Sequence, residues 1–431
     1  MATILTLLDL AVGTAALSSA LLYTEAPQYD PQAILRGAER FPSGAVVKVL
    51  RGGASRVLAP SLAISADAAI SPDSRNVLIA AKAKADQPWQ IWEVPLEGGP
   101  PRQVTFGAED CIRPFYAAEG KFVYARKTVL GYQIEIAPLA GGSALRLTYL
   151  AGDFLPDAVL RDGRVLFEGP FPAAPSSIRD LYTVYADGSG VETRRCDHGP
   201  DRHSATELAS GDTIFQTGAG LGRFTSARAG QLDVVLPKGE YVGPVAETET
   251  GDWLAAYRPS RADAYWICRF RARAEVPPIK VVGPNAWQPL PVRMRPAPPY
   301  HPSSLGNREG ANLLCLNTYT SKTQQIPKGS VAEVRVWSID QRGAMVALGK
   351  APVEPDGSFY VQTPSEAPLR FELLDRDGKT VAAEKVWFWA RKGEQRVCVG
   401  CHAGPERAPE NVAPQVLLRT QKPVSLIKPA N

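Results

Sequence analysis

Short runs of apolar residues, each preceded by a turn signal, follow one another along most of this 431-residue chain. Val77-Leu78-Ile79 follows Ser71-Pro72-Asp73-Ser74, Phe122-Val123-Tyr124 follows Glu119-Gly120, and Val165-Leu166-Phe167 follows Asp162-Gly163. Weaker copies are Thr213-Ile214-Phe215 after Ser210-Gly211 and Trp253-Leu254 after Thr250-Gly251. Runs this short, rich in β-branched and aromatic residues and bounded by Gly or Asp, predict strands rather than helices. A second marker travels with the first. Pro95-Leu96-Glu97-Gly98-Gly99 precedes Gln103-Val104-Thr105, and Pro138-Leu139-Ala140-Gly141-Gly142 precedes Arg146-Leu147-Thr148. The pattern recurs about every 44 residues, the length of a four-stranded propeller blade. One such sheet cannot bury both of its faces, and radial stacking of copies does so. The expectation is a mainly β chain with a β-propeller of five to six blades over residues 40–290, residues 40–68 completing or closing the ring.

Nine prolines between Pro277 and Pro302 then interrupt the pattern. Such a stretch excludes a helix or a central strand, and residues 291–310 read as a semi-rigid linker. Beyond it, Ala332–Ile339 alternates as a strand with Val334, Val336 and Ser338 on one face. Asp356-Gly357 and Asp377-Gly378 are hairpin signals. Phe359–Leu374 lies between them and Val381–Trp389 follows, the latter read as a strand with Trp387 and Trp389 on one face and Phe388 on the other. One of these faces either walls a cofactor or fills the core. These elements predict a small antiparallel β-sandwich-like domain over residues 311–405, followed by an extended tail over 406–431.

The chemistry sits at the end of that domain. Cys398-Val399-Gly400-Cys401-His402 has the spacing of a c-type haem attachment site. Two thiols three positions apart can add to the two vinyl groups of one porphyrin, and the adjacent imidazole can bind the iron axially. A dithiol redox pair or half of a zinc site would carry the same Cys-x-x-Cys. No second Cys-x-x-Cys completes a zinc site, and the motif does not open a helix early in a βαβ unit. The expected site is therefore Cys398, Cys401 and His402, with one covalent haem c. Residues 403–431 contain no His, Met, Tyr or Cys, which excludes the small cytochrome arrangement with a downstream second ligand. The upstream candidates are His198, His203, His301, Met294 and Met345.

Composition adds three constraints. A net charge of +4 with a pI near 8.6 is too mild to argue for nucleic acid or an anionic membrane. Beyond the haem pair, Cys111, Cys196, Cys268 and Cys315 remain, too few for a disulfide scaffold. Thr3–Leu22 is apolar enough for a signal peptide or anchor, assigned to residues 1–26, with Ser18-Ser19-Ala20 offering a cleavage site. Asp9 and the lack of an early Lys or Arg weaken that reading. Export to a periplasmic or other extracytoplasmic compartment therefore rests on the haem motif, and any membrane contact on that first segment.

The blade phrasing resembles propeller repeats of the TolB type. The run 352–359, then Pro368-Leu369-Arg370-Phe371-Glu372-Leu373-Leu374-Asp375, then Gly393-Glu394-Gln395-Arg396-Val397 leading into the pentapeptide, resembles the middle domain of hydrazine synthase alpha subunits. The resemblance covers roughly residues 310–405. It implies a propeller packed against a domain bearing a c-type haem; the name-giving member joins nitric oxide with a reduced nitrogen compound. It also implies a zinc ion held by thiols corresponding to Cys111 and Cys315, with the motif histidine turned toward zinc and a tyrosine after the motif on the iron. Here Tyr360 is the last tyrosine, so that tyrosine is missing and His402 is expected on iron. The resulting expectation is a monohaem cytochrome serving electron transfer or small-molecule redox chemistry, with a redox partner protein. A haem enzyme acting on nitrogen oxide or hydroxylamine-like substrates and a propeller assembly module with structural haem are the alternatives.

Overall fold

The structure is a computed structural model and describes residues 20–171, 178–195, 201–225, 230–271, 276–321, 325–340, 342–400 and 410–427. Six four-stranded antiparallel sheets follow one another as propeller blades, and two further four-stranded sheets follow them. Blades 2 to 6 are each built from consecutive strands and begin at Ile64, Cys111, Leu155, Arg202 and Glu240. Blade 1 is composite. Leu21–Glu25 pairs with Val46–Arg51 on one side and with Ala286–Pro291 on the other, so the start of the chain and the end of the ring lock one sheet.

Both sequence markers are turns of these blades. The acidic-small signals connect the first and second strands of blades 2 to 6, with matching cross-turn bonds such as Leu160 N–H to Arg164 O and Leu208 N–H to Asp212 O, each 2.8 Å. The Gly-Gly signals connect the third and fourth strands of blades 2 and 3. Continuous apolar runs fit strands buried on both faces. In Asn76–Lys82, Val77, Ile79 and Ala81 pack with Leu22, Val47 and Val49 of blade 1, while Leu78 and Ala80 pack with Phe122 and Tyr124 of blade 3. Burying each Val, Leu, Ile or Phe side chain among these contributes about 1.5–3 kcal/mol.

One boundary differs from the sequence reading. The ring begins at Leu21 rather than residue 40, because Leu21, Leu22 and Tyr23 form a buried blade strand; the end of the 1–26 segment is propeller. Within the ring, the proline-rich stretch supplies two strands, Ile279–Val282 and Ala286–Pro291. Each lies at the edge of its sheet, where a missing N–H costs no ladder bond. Residues 1–19 lie outside the described ones, and among those described no helix is long and apolar enough to cross a membrane.

The second domain is a sandwich. Val334, Val336, Leu369, Phe371 and Leu373 of one sheet pack on Ala311, Leu313, Cys315, Phe359 and Val361 of the other. Val334, Val336 and Ser338 face inward as expected. The sandwich is not wholly antiparallel: Gln395–Cys398 runs parallel to Ala311–Cys315, and Val424–Ser425 runs parallel to Phe359–Thr363. Asp377-Gly378 closes a hairpin, whereas Asp356-Gly357 carries the chain from one sheet to the other. Nor is the tail merely extended. Gln415–Arg419 is a short helix whose Val416 packs on Leu314 and Tyr360, and Leu426 enters the core. One helical turn and a two-residue strand are too short for periodicity to register.

The 381–389 segment is a strand only over Thr380–Ala383. Phe388 bridges Leu369 and faces the sandwich core, 5.1 Å from the Phe371 ring. Trp389 leaves the sandwich altogether. Only 1% exposed, it enters the core between blades 3 and 4, donates Nε1–H to Leu147 O at 3.0 Å and meets the Phe154 ring edge-on at 5.7 Å.

Candidate functional site

Gln395–Cys398 is the edge strand of its sheet. Its parallel register sets Cys398 beside Cys315, and Leu316 N–H donates to Cys398 O at 2.9 Å. Cys315 is buried in the sandwich core and Cys398 is half-buried at its rim. The chain then turns at Gly400, which lies so close to the Thr320 and Asn317 carbonyl oxygens that a Cβ there would stand 2.3 and 2.7 Å from them. No side chain fits that approach. Cys401 and His402 lie outside the described residues, as does His198.

The strand is aimed at the propeller by Glu394. Its Oε1 accepts from Gly190 N–H of blade 4 at 3.1 Å and pairs with Arg396 at 2.8 Å; its Oε2 accepts from Arg391 N–H at 2.7 Å. Burial pushes the Cys398 thiol up, Arg396 opposes this, and Glu384, Glu394 and Glu192 reinforce it. Glu192 belongs to the outer strand of blade 4, so Cys398 lies within electrostatic reach of the propeller. A thiol on an unpaired sheet edge, followed by a backbone turn without side-chain bulk, fits one end of a flat covalently attached group. Cys401 and His402 would supply the rest of the donor set.

Cys111 lies in the innermost strand of blade 3, within the propeller core, its thiol pushed up to about 11 by burial. Cys315 lies in the separate sandwich core. Among the described residues, no group of three or more His, Cys, Asp or Glu side chains could hold a metal ion. The upstream ligand candidates are dispersed. His203 lies on the inner strand of blade 5 beside Ser204 Oγ at 3.2 Å. His301 lies in the linker against Asp162 O and the Tyr185 ring. Met294 and Met345 are exposed.

A second polar centre, which sequence reading missed, lines the propeller axis. The pairing register slips within the inner strand of every blade. At these bulges Gln288, Asp67, Arg113, Ser204 and Gly243 adopt positive φ of 53°, 54°, 51°, 53° and 75°. The bulged N–H groups bond to side chains of the preceding blade: Asp67 to Gln288 Oε1 at 3.2 Å, Arg113 to Asp67 Oδ2 at 3.1 Å, and Ser204 to Glu168 Oε2 at 2.9 Å. Arg40 clamps Asp67 through two bonds of 2.8 and 2.6 Å. Burial raises the Asp67 carboxyl, but Arg40 and then Arg113 outweigh it and hold it at about 2. Next door, Arg113 Nη1 donates to both Asp157 and Glu168 at 3.1 Å. Among the described residues, none hydrogen-bonds the buried Asp157 Oδ2. Burial, then the Glu168 charge, pushes Asp157 well above the usual carboxylate range; Glu168 is held down because Arg113 and Arg179 outweigh its burial. Bulges arise from strand register, so residue type alone did not mark these positions.

The family described as the hydrazine synthase alpha subunit middle domain matches residues 316–403. Over 70 residues the chain is 34% identical to hydrazine synthase subunit alpha of Kuenenia stuttgartiensis, covering 16% of this chain and 8% of that protein. The matched stretch is thus a small part of that relative's length. Hydrazine synthase of Kuenenia stuttgartiensis also superposes in three dimensions, over 93% of this chain and 71% of its own, with a TM-score of 0.78 at 16% identity, a likeness of fold. TolB from Acinetobacter baumannii aligns over 64% of this chain and 67% of its own at 13% identity, with a TM-score of 0.48.

Proposed function

Residues 316–403 belong to the hydrazine synthase alpha subunit family, and from that premise we propose that this chain carries one covalent c-type haem on Cys398 and Cys401. The observation that carries the reading is Cys398 on an open sheet edge within electrostatic reach of the propeller, leading into a turn only glycine can make. Such a group, when bound, supplies one-electron redox chemistry and, with an open coordination position, binding of small molecules. The role proposed is electron transfer or small-molecule redox chemistry with a protein redox partner. The site is extracytoplasmic, since thioether attachment takes place there.

His402 is assigned to iron. In the pentapeptide the imidazole directly follows the second thiol and can bind the iron axially. The spread of His203, His301, Met294 and Met345 favours a second reading, catalysis on nitrogen oxide or hydroxylamine-like substrates. His203 contacts Ser204 and His301 contacts Asp162 O, both on the propeller, and Met294 and Met345 are exposed. Spectra of the oxidised and reduced protein separate the two: a low-spin, six-coordinate signature supports electron transfer, and a high-spin signature that shifts with added small ligands supports catalysis. Cys398→Ala with Cys401→Ala should abolish covalent haem. Haem that extracts freely into acidified organic solvent would overturn the attachment. One zinc per chain, lost in both His402→Ala and Cys315→Ala, would move His402 from iron to zinc.

A further inference from the structure

A third thiol lies beside the first attachment thiol. Cys315 and Cys398 are register partners on parallel strands. Neighbouring strands lie about 4.8 Å apart, within the roughly 4.4–6.8 Å that a disulfide spans between Cα atoms. Register partners project to the same face. Leu313 and Cys315 line the sandwich core, and their partners Arg396 and Cys398 follow, with Arg396 over the Phe388 ring at 5.4 Å. Cys398 ends its strand at the sheet edge, so its Cβ can close on Cys315 without disturbing an interior ladder. Cys111 and Cys268 are buried in propeller blades 3 and 6 and have no such neighbour in register.

We propose that in the haem-free chain Cys315 and Cys398 form a disulfide that masks the first attachment thiol. The masking rests on Cys398 being a haem attachment point; the bond itself does not. The oxidant is a small-molecule or protein disulfide. The Cys398 thiolate attacks one of its sulfurs and expels the first leaving thiolate. The Cys315 thiolate then attacks the mixed disulfide at Cys398 and expels the second. Two electrons pass from the cysteine pair to the external disulfide, and the two protons lost by the cysteines end on its thiols. Reduction by a dithiol reverses the exchange and releases Cys398.

The test uses the full chain made without haem and held with oxidised glutathione at alkaline pH. Remaining thiols are alkylated after denaturation, and the chain is digested with trypsin without reductant. The expected product joins peptide 309–322, which holds Cys315, to peptide 397–407, and dithiothreitol separates them. Because the second peptide holds two cysteines, the link must survive Cys401→Ser and vanish in Cys398→Ser, a half-exposed position that leaves the core intact. Alkylation of Cys398 in the native oxidised chain should be at least tenfold faster in Cys315→Ala than in the parent. A link that persists in Cys398→Ser, a Cys398–Cys401 bond within one peptide, or full alkylation at Cys315 would overturn the proposal. A missing link in a chain that loads haem normally sinks the disulfide alone. A link in a chain that never acquires haem sinks the attachment reading alone.

Discussion

At Asp157, two carboxylates share one guanidinium nitrogen, and one carboxylate oxygen has no hydrogen-bond partner among the described residues. A buried oxygen of this kind is costly as an anion and tolerable as an acid. Arg113 faces Asp157 from blade 3, Glu168 and Arg179 from its own blade, and Ala205 N–H from blade 5. With the folded proton affinity raised by burial and by Glu168, the group contributes most stability below the ordinary carboxylate range of about 4. That contribution is lost as pH rises toward the folded value. Asp157→Asn removes the ionisation and keeps the shape. The variant's melting temperature relative to the parent's should therefore rise from pH 5 to pH 8. Parallel melting curves for parent and variant across that range would exclude the protonated acid. Asp67 behaves oppositely: depressed to about 2, its contribution is present above the ordinary carboxylate range and is lost only as pH falls toward that value.

Turn chemistry made the elements legible and register did not. Asp162-Gly163 and Gly141-Gly142 mark turns by residue type, because Gly163 and Gly142 sit at φ of 83° and 133°, where other residues are strained. Alternation likewise exposed the inward face of Glu333–Ile339. The edge strand bearing Cys398 was hidden, because Gln395–Cys398 has no apolar alternation and pairs with a strand some eighty residues earlier. The motif marked Cys398 without revealing Cys315 as its strand partner. Trp389 illustrates the other limit. Its aromatic neighbours suggested either a cofactor wall or a sandwich core, and only tertiary packing placed it between blades 3 and 4. Trp389→Ala leaves a large cavity there and orphans Leu147 O, a loss of about 3–5 kcal/mol by analogy with buried aromatic truncations. Calorimetry should resolve separate propeller and sandwich transitions in the variant where the parent shows one. A single cooperative transition with an unchanged midpoint would mean that the Trp389 contact does not couple the domains.

Across the whole molecule, the proline-rich linker is a strap rather than a loose tether. Arg295 N–H donates to Pro72 O at 3.0 Å and its Nη2 to Ile70 O at 2.7 Å on blade 2. Lys121 of blade 3 lies over the Tyr300 ring at 5.9 Å. His301 contacts Asp162 O, and Ser303 Oγ donates to Asp187 at 2.8 Å, both on blade 4. The strap thus meets the first-to-second strand turns of three successive blades, the same turns that carry the repeat signal in the sequence. It has little choice of path, since its prolines fix φ and favour extended backbone. From composition alone this stretch reads as a boundary crossed by few contacts, where cleavage separates two domains. The strap, the Glu394 bond to Gly190 and the buried Trp389 predict a different result. Trypsin can cut at Arg293 or Arg308, but Arg295 precedes a proline and resists. The nicked halves should co-elute at the intact position in size-exclusion chromatography and part only in denaturant. Combining the nick with Trp389→Ala should let them separate without denaturant. Clean separation of the nicked parent under native conditions would show that the strap and the blade 3–4 seam do not hold the two domains together.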